Sequence, residues 1–185
     1  MTKKELRAVI AAEVAALDSV YCEKADAAIC AAVTESELYR NAHTMFCYIG
    51  TDREIDTKAL LLRALRDGKR LALPLCVGKG IMEAREIRSL DDLIAGKFGI
   101  PAPGEHCPII EAEEFDLVIV PCSSGNQKGQ RLGYGGGFYD RYLGKTRCPK
   151  VLLCRKALSK EEIPTEEHDL AMDYFASEDG MVCCK

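Results

Sequence analysis

Residues 116–143 read DLVIVPCSSGNQKGQRLGYGGGFYDRYL, and this stretch decides the fold. Residues 116–120 are mainly aliphatic and β-branched, which is typical of a central strand that is buried on both faces of a parallel sheet. Residues 121–137 are polar and rich in glycine, and residues 138–143 are predicted to be helical. A buried strand, a polar loop and a helix in succession indicate an α/β protein.

Helices and strands are also predicted around this stretch. Thr2 and Glu5 have the capping-box spacing that starts a helix. The apolar stripe of that helix consists of Leu6, Val9, Ile10, Val14 and Leu17. Further helices are predicted over residues 19–33, 56–66 and 89–94, with a short helical start at Thr34. Further strands are predicted over residues 44–49, 70–76, 82–87 and 150–154, with an extended Pro/Gly loop over residues 98–108.

This alternation favours an α/β fold in which a mostly parallel, Rossmann-like sheet is covered by helices on both sides. We see no internal repeat and no linker, so residues 1–185 are expected to form a single three-layer α/β/α domain. In such sheets, ligands bind beyond the carboxyl ends of the strands.

The composition is that of a globular protein, with 48% hydrophobic and 29% charged residues. The net charge of −4 gives no overall electrostatic reason to expect nucleic acid or an anionic membrane as a partner. Glu5, Arg7 and Glu13 interrupt the apolar character of the start, which argues against a secretory signal. No run approaches about 18 apolar residues, so no membrane span is expected. We therefore expect a cytoplasmic protein; separately, we expect a monomer.

The chain has 10 cysteines, but they contain no C-x-x-C pair and no zinc-finger spacing. Several lie in apolar runs, such as Cys47 and Cys154, where a free thiol behaves as a small core side chain. Most are therefore expected to be reduced and structural. A cysteine-based metal or redox protein stays open as an alternative, with Cys183 and Cys184 as an adventitious metal or oxidation site.

The loop after residue 120 is the expected site of chemistry. Gly133, Gly135, Gly136 and Gly137 lie within five residues, and such density usually lets the backbone approach a ligand. With Lys128 and Arg131 nearby, the loop could present N–H groups and positive charge to phosphates. The alternative is a plain turn-forming loop. Neither a Walker A sequence nor a dinucleotide fingerprint is present.

Residues 131–143, RLGYGGGFYDRYL, closely resemble the signature of the 5-formyltetrahydrofolate cyclo-ligase family, the methenyltetrahydrofolate synthetases. Four more segments resemble the family in the same order: KKELR (3–7), YIGTDREIDT (48–57), FGIPAP (98–103) and EEHDLAMD (166–173). The resemblance implies ATP- and Mg²⁺-dependent conversion of 5-formyltetrahydrofolate to 5,10-methenyltetrahydrofolate, with release of ADP and phosphate. It also implies an iminium phosphate intermediate that N10 attacks.

The resemblance further implies roles for individual residues. Catalytic roles are expected of Arg131, Tyr134 and Asp140. ATP contacts are expected of Lys3, Lys4, Arg7, Arg131, Leu132, Gly133, Tyr134, Gly135, Gly136, Gly137, Phe138 and Tyr139. Folate contacts are expected of Arg7, Thr51, Asp56, Tyr134, Gly135, Gly136, Gly137 and Phe138. The metal ligands would be Asp140 and Asp169.

Considered alone, these residues have simpler interpretations. Lys3 and Arg7 are four apart, hence on one helix face, which could be solvated. Asp140 and Asp169 could each be a helix cap or a surface charge.

Three departures from the family pattern stand out. Residues 121–126, PCSSGN, replace the usual Pro-Gly-aliphatic-Ala-Phe-Asp segment, Phe138 replaces a common Tyr, and Asp56 replaces a usual Glu. None of them removes the expected magnesium, phosphate or N-terminal basic positions, so we expect activity to be retained, with substrate affinity the property most open to change. A non-catalytic folate- or nucleotide-binding relative stays open as the alternative.

Overall fold

The computed structural model describes residues 1–184, which form five helices and eleven strands. The helices are α1 (Lys3–Ala16), α2 (Ser19–Thr34), α3 (Glu37–Asn41), α4 (Lys58–Arg66) and α5 (Phe138–Leu143). The strands are β1 (Thr44–Phe46), β2 (Arg70–Gly78), β3 (Ile81–Ile87), β4 (Leu93–Ala95), β5 (Pro101–Pro103), β6 (Leu117–Val120), β7 (Ser124–Gly125), β8 (Arg131–Leu132), β9 (Lys150–Leu153), β10 (Tyr174–Ser177) and β11 (Gly180–Cys183).

The central sheet has seven strands in the order β11-β10-β9-β6-β1-β2-β3. Its five inner strands run parallel to one another, whereas β3 and β11 pair antiparallel at the two edges. The loops that leave the inner strands therefore emerge at one edge of the sheet, where a ligand site is expected.

Strand β6 lies at the centre of the sheet, and all four of its residues are buried. Leu117 and Ile119 pack on the face that α2, α3 and α4 cover. Val118 and Val120 pack on the opposite face, with α1 and α5. Because successive strand side chains alternate between faces, a strand covered on both sides must be apolar throughout. The predicted three-layer α/β fold with a mostly parallel sheet is confirmed.

Helix α1 begins as predicted, because the Thr2 hydroxyl accepts a hydrogen bond from the Glu5 amide and the Glu5 carboxylate accepts one from Thr2. Leu6 and Ile10 are buried, but Val9 is 40% exposed, so its place in the buried stripe was wrong. The helix packs on the sheet through a narrower stripe than the spacing of its apolar residues suggested.

Several predicted boundaries shift because local contacts decide them. Helix α3 is capped by the Ser36 hydroxyl and not by Thr34. Strand β1 ends at Phe46 and not at residue 49, because its pairing with both β2 and β6 ends at that residue. Helix α4 begins at Lys58 and not at Asp56.

Three features were not predicted. Within the expected Pro/Gly loop, β5 pairs with β4, and only residues 90–92 of the predicted helix over residues 89–94 are helical, as a 3-10 turn. Strands β7 and β8 form a ribbon inside the polar loop. Strands β10 and β11 form a C-terminal hairpin at one edge of the sheet. These strands are short, so tertiary pairing and not local pattern specifies them. Within residues 1–184, no helix combines the length and apolar character needed to span a bilayer.

Candidate active site

A small crevice of about 10 Å³, with room for about one water molecule, lies at the carboxyl ends of β1, β6 and β9. Tyr48 follows β1, Cys122 follows β6 and Arg155 follows β9, and all three line it. Glu54, from the loop between β1 and α4, lines it as well. The position agrees with the rule that the loops beyond parallel strands form ligand sites.

The glycine-rich loop continues from β8 into α5, next to this crevice. Gly135 and Gly137 have φ values of 96° and 68°, and Gly137 is the N-terminal cap of α5. A side chain at either position would be strained, so the turn requires glycine there. Gly135 and Gly136 are exposed, so the backbone of this turn is open to a ligand.

Arg131 and Asp140 form an ion pair beneath this turn. The Arg131 Nη2 atom lies 2.9 Å from Asp140 Oδ1, and the two side chains are 6% and 26% exposed. Arg131 also donates to the Pro121 carbonyl oxygen at 3.3 Å, and its guanidinium lies 5.7 Å from the centre of the Tyr139 ring. The structure thus brings two predicted catalytic residues into direct contact.

Helix α1 brings its basic residues to the same region. Arg7 Nε donates to the Gly133 carbonyl oxygen at 2.7 Å. Lys3 Nζ lies 2.6 Å from Asp169 Oδ2 and 3.0 Å from Glu166 Oε2. Neither side chain therefore lies on a freely solvated helix face, whereas Lys4 is exposed.

The Lys3–Asp169 pair favours the charged form of both partners. Burial opposes the charge on Lys3, but the hydrogen bonds to Asp169 and Glu166 outweigh it and raise the pKa of Lys3. Burial likewise opposes ionisation of Asp169, but the hydrogen bond from Lys3 lowers its pKa overall. The carboxylate of Asp169 is therefore ionised at neutral pH.

Asp169 belongs to a group of possible metal ligands with Glu166 and His168. One ligand atom from each residue lies within 4.8 Å of the others. Carboxylate oxygens are the donors that Mg²⁺ prefers, so this side of the site fits a hard cation. Asp140, the other predicted metal ligand, is held separately by Arg131.

The aromatic residues of the loop face inward to different degrees. Tyr134 is 48% exposed, but its hydroxyl donates to the Cys122 carbonyl oxygen at 3.0 Å. The ring of Tyr139 stacks on Phe46 at a centroid distance of 6.4 Å. Burial, followed by the nearby Glu54 carboxylate, raises the pKa of both Tyr134 and Tyr139. Both hydroxyls therefore stay neutral, and the Tyr134 hydrogen bond links the glycine-rich loop to Cys122, which lines the crevice.

The predicted folate residues near β1 have different surroundings. The Thr51 amide donates to Glu54 Oε2 at 3.0 Å. Asp56 is exposed, and its Oδ1 atom accepts from the Lys58 amide at 2.9 Å, at the start of α4. Glu54, which we did not single out from the sequence, is the acid of this loop that lines the crevice. Burial raises its pKa.

Only a weak sequence signal could have found Glu54. Asp52, Glu54 and Asp56 are three acids within five residues, and their order alone does not show which of them faces inward. Arg155 was missed for a similar reason, because its partner Asp26 lies far away in the sequence on α2.

The departure over residues 121–126 forms a wall that is hydrogen-bonded to the segments around it. Ser124 Oγ donates to the Leu158 carbonyl oxygen at 2.6 Å, and Asn126 Nδ2 donates to Gln130 Oε1 at 2.7 Å. The Ser123 amide donates to the Leu132 carbonyl oxygen at 2.7 Å. Because these buried polar groups find partners in the chain, the altered segment has a structural explanation.

The cysteines do not form a metal cluster among residues 1–184, where the one detected group of three possible metal ligands contains none of them. All ten are free, and Cys30, Cys47, Cys107, Cys122, Cys148 and Cys154 are buried. Burial raises the pKa of Cys30 to about 11 and that of Cys47 further. Such thiols are unreactive and behave as core side chains.

The fold and site together define a class: an α/β protein with a ligand crevice beyond its parallel strands, flanked by a glycine-rich loop and basic side chains. The model of the 5-formyltetrahydrofolate cyclo-ligase family matches residues 1–178. The chain therefore belongs to this family, whose members are named as ligases, and the predicted family and enzyme class are confirmed.

Individual relatives agree with the family assignment. A probable 5-formyltetrahydrofolate cyclo-ligase from Schizosaccharomyces pombe is 27% identical over 98% of this chain and 98% of its own length. The 5-formyltetrahydrofolate cyclo-ligase of Escherichia coli K12 is 30% identical over 71% of this chain and 75% of its own length.

The fold also matches a solved structure. The NMR structure of the 5,10-methenyltetrahydrofolate synthetase of Aquifex aeolicus superposes with a TM-score of 0.88, at 24% identity. The match covers 100% of this chain and 94% of that chain, so it shows a shared fold along the whole length.

Proposed function

We propose that this protein catalyses the ATP- and Mg²⁺-dependent conversion of 5-formyltetrahydrofolate to 5,10-methenyltetrahydrofolate, with release of ADP and phosphate. Family membership supports the substrate and product. The observation that carries the proposal is the 2.7 Å hydrogen bond from Arg7 to Gly133, because it seats the basic face of α1 on the glycine-rich loop. Cations and accessible backbone amides together suit the binding of a polyphosphate.

The chemistry explains why a nucleotide is consumed. The N5-formyl group is a resonance-stabilised amide whose oxygen leaves poorly. In the proposed reaction the formyl oxygen attacks the γ-phosphorus, and the bond to ADP breaks with its electron pair on ADP. N10 then attacks the carbon of the iminium phosphate and loses its proton to solvent, and the C–O bond breaks as phosphate leaves. The protein therefore has mainly to align the two substrates and stabilise charge.

The phosphate side of the site is formed by α1 and the glycine-rich loop. We assign ATP contacts to Lys3, Lys4, Arg7 and residues 131–139. The buried guanidinium of Arg131 supplies a fixed positive charge, and Lys3 can exchange its contact with Asp169 for a phosphate oxygen. Arg131, Tyr134 and Asp140 are the proposed catalytic residues.

Asp140 and Asp169 are the proposed Mg²⁺ ligands. Each carboxylate forms an ion pair with a basic side chain in this structure, Asp169 with Lys3 and Asp140 with Arg131. Charged carboxylate oxygens of this kind suit Mg²⁺. Bound Mg²⁺ would neutralise charge on the phosphates. Glu166 lies within reach of Asp169 and could complete that side.

The folate side is proposed to lie around the crevice, which has the volume of about one water molecule and must widen to admit a pterin ring. Thr51, Tyr134 and Phe138 are assigned to folate, together with Arg7 and the turn over residues 135–137. Glu54 joins this set because its carboxyl lines the crevice and could accept from pterin N–H donors. Asp56 stays a predicted contact, although its side chain is exposed and bonded to the start of α4.

Other expectations stay predictions: a single domain over residues 1–185, a monomer, a cytoplasmic location and no nucleic-acid or membrane partner. The alternative of a non-catalytic relative that binds folate or nucleotide was suggested by the departure over residues 121–126. Those residues find hydrogen-bond partners in the surrounding chain, among them Arg131, Leu132 and Tyr134, so the altered segment packs against the proposed phosphate side and does not displace it.

The test is a spectrophotometric assay with the reduced protein, Mg²⁺ and 5-formyltetrahydrofolate, in which methenyltetrahydrofolate is followed by its near-ultraviolet absorbance. We expect product only when ATP is present, with one ADP formed for each product. Tight folate binding without turnover would favour the non-catalytic alternative. Product formation without ATP would contradict the proposed mechanism.

A further inference from the structure

A buried ion pair connects α2, the end of β9 and the loop that contains Glu54. Arg155 Nε lies 2.7 Å from Asp26 Oδ1, and Arg155 Nη2 donates to Asp26 Oδ2 at 2.8 Å. The Arg155 and Asp26 side chains are 5% and 10% exposed. The contact has the two-pronged geometry that arginine makes with a carboxylate.

The same pair holds the backbone of the loop over residues 50–57. Arg155 Nη2 donates to the Glu54 carbonyl oxygen at 2.8 Å, and the Asp56 amide donates to Asp26 Oδ2 at 2.9 Å. These two peptide groups lie on either side of Ile55, which is itself buried. The pair therefore holds the backbone on both sides of one residue, directly after Glu54, whose carboxylate accepts from the Thr51 amide.

The rest of the loop is held from its other end. Thr57 is fully buried, and its hydroxyl donates to the Tyr48 carbonyl oxygen at 2.6 Å. The Gly50 amide donates to Thr57 Oγ1 at 3.3 Å. A β-carbon on Gly50 would lie 1.9 Å from the Ile55 carbonyl oxygen, so the loop folds tightly on itself. Within the segment, Thr51 and Glu54 form a local turn, in which the Glu54 amide donates to the Thr51 carbonyl oxygen at 2.9 Å, and the ion pair ties this turn to α2 and β9.

Stability alone does not explain this pair. Asp26 lies in the middle of α2, where aspartate is a poor helix former and a buried carboxylate costs free energy. A buried ion pair is commonly no more stabilising than apolar side chains of the same size. By contrast, a buried network in which every polar group is hydrogen-bonded holds its residues in one defined arrangement.

We propose that Asp26 and Arg155 are positioning residues for folate binding, because they hold the loop that presents the Glu54 carboxyl to the crevice. This inference rests on the proposed function, since it takes the crevice to be the folate side of the site. Neither residue needs to contact ATP, so their loss affects one substrate and not the other.

The test is the double variant Asp26→Leu/Arg155→Met, which removes both charges and leaves no buried ion unpaired. We expect KM for 5-formyltetrahydrofolate to rise by about tenfold or more, on the order of one charge-assisted hydrogen bond. KM for ATP should stay within about twofold, and the melting temperature should change little. Exchange of the Asp56 amide with solvent should become faster, because the amide loses its acceptor.

Two further variants complete the design. Arg70→Met/Glu86→Leu removes an ion pair at the opposite edge of the sheet, where Arg70 begins β2, and should leave both KM values unchanged. Arg155→Lys keeps the charge without the two-pronged geometry and should give an intermediate KM for folate. If the double variant fails to fold, Arg155→Lys tests the positioning role in its place.

The outcomes separate the two proposals. An inactive wild-type protein would overturn the proposed function, and with it this inference. If the wild type is active and the double variant has an unchanged KM for folate, the positioning role alone is overturned. If the double variant does not fold, an unchanged KM for folate in Arg155→Lys has the same meaning. An equal rise in both KM values would indicate a merely structural pair and would also overturn it.

Discussion

Replacing Asp140 by asparagine removes one charge from the proposed metal site and changes the shape of the side chain little. Asp140 lies in the first turn of α5 and pairs with Arg131 at 2.9 Å. Arg131 keeps its hydrogen bond to Pro121, and the asparagine amide oxygen can still accept from it. With Asp140 partly exposed, we expect unfolding to become easier by about 1 kcal/mol.

The expected effect on turnover is much larger. Loss of a group that stabilises charge in a transition state commonly lowers kcat by about 10²-fold or more, about 2.7 kcal/mol. The asparagine can still accept a hydrogen bond from Arg131 but no longer carries the opposite charge, so the variant weakens the ion pair between two proposed catalytic groups. Folate affinity should change little, because the removed charge lies on the phosphate side of the site.

Steady-state kinetics with varied ATP, folate and Mg²⁺ measure these effects, and thermal unfolding checks that the variant is folded. Asp179→Asn is the matched control, because Asp179 is also paired with a cation, Lys156, but is exposed at the C-terminal hairpin. A kcat for Asp140→Asn within about threefold of the wild type at saturating Mg²⁺, with the protein folded, would refute the assignment of Asp140.

Three other variants test separate parts of the site. Lys3→Ala/Arg7→Ala should chiefly raise KM for ATP, and a wild-type ATP dependence would show that α1 does not complete the phosphate side. Glu54→Gln should raise KM for folate more than KM for ATP. The same variant tests a stability effect. Because burial raises the pKa of the Glu54 carboxyl in the folded state, its ionisation opposes folding above its ordinary pKa of 4.5. The variant should therefore melt at a higher temperature than the wild type at pH 7, and the gap should disappear as the pH falls below 4.5; a lower melting temperature at pH 7 would contradict this. Gly137→Ala should cost about 1 kcal/mol of stability, because φ is +68° at this cap, and equal denaturant midpoints would argue against the strain.

The fold class could be predicted because its strongest signals are local. The run over residues 117–120 is apolar at every position, and only a strand covered on both faces tolerates that pattern. The cap at Thr2 and the positive φ of Gly68 after α4 depend on neighbouring residues alone. By contrast, the β7–β8 ribbon is specified by partners across a turn, and two-residue strands carry no periodic signal.

The candidate site was only partly predictable for the same reason. The glycine-rich turn and Asp140 are close in sequence, so one motif carried them both. Arg7 and Gly133 are 126 residues apart, and only the family resemblance suggested that they meet. Glu54 and its two supports were missed, because acids in a loop look alike until the fold decides which of them is buried.

The sequence by itself determined the α/β class, the central strand, the glycine-rich turn and the family, because each is encoded by neighbouring residues or by a motif of fixed spacing. The tertiary structure alone decided which charges pair: Lys3 with Asp169, Arg131 with Asp140, and Arg155 with Asp26. The free energy of a charged group depends on its burial and on partners within a few ångströms. For these groups, such surroundings exist only after distant segments have packed together.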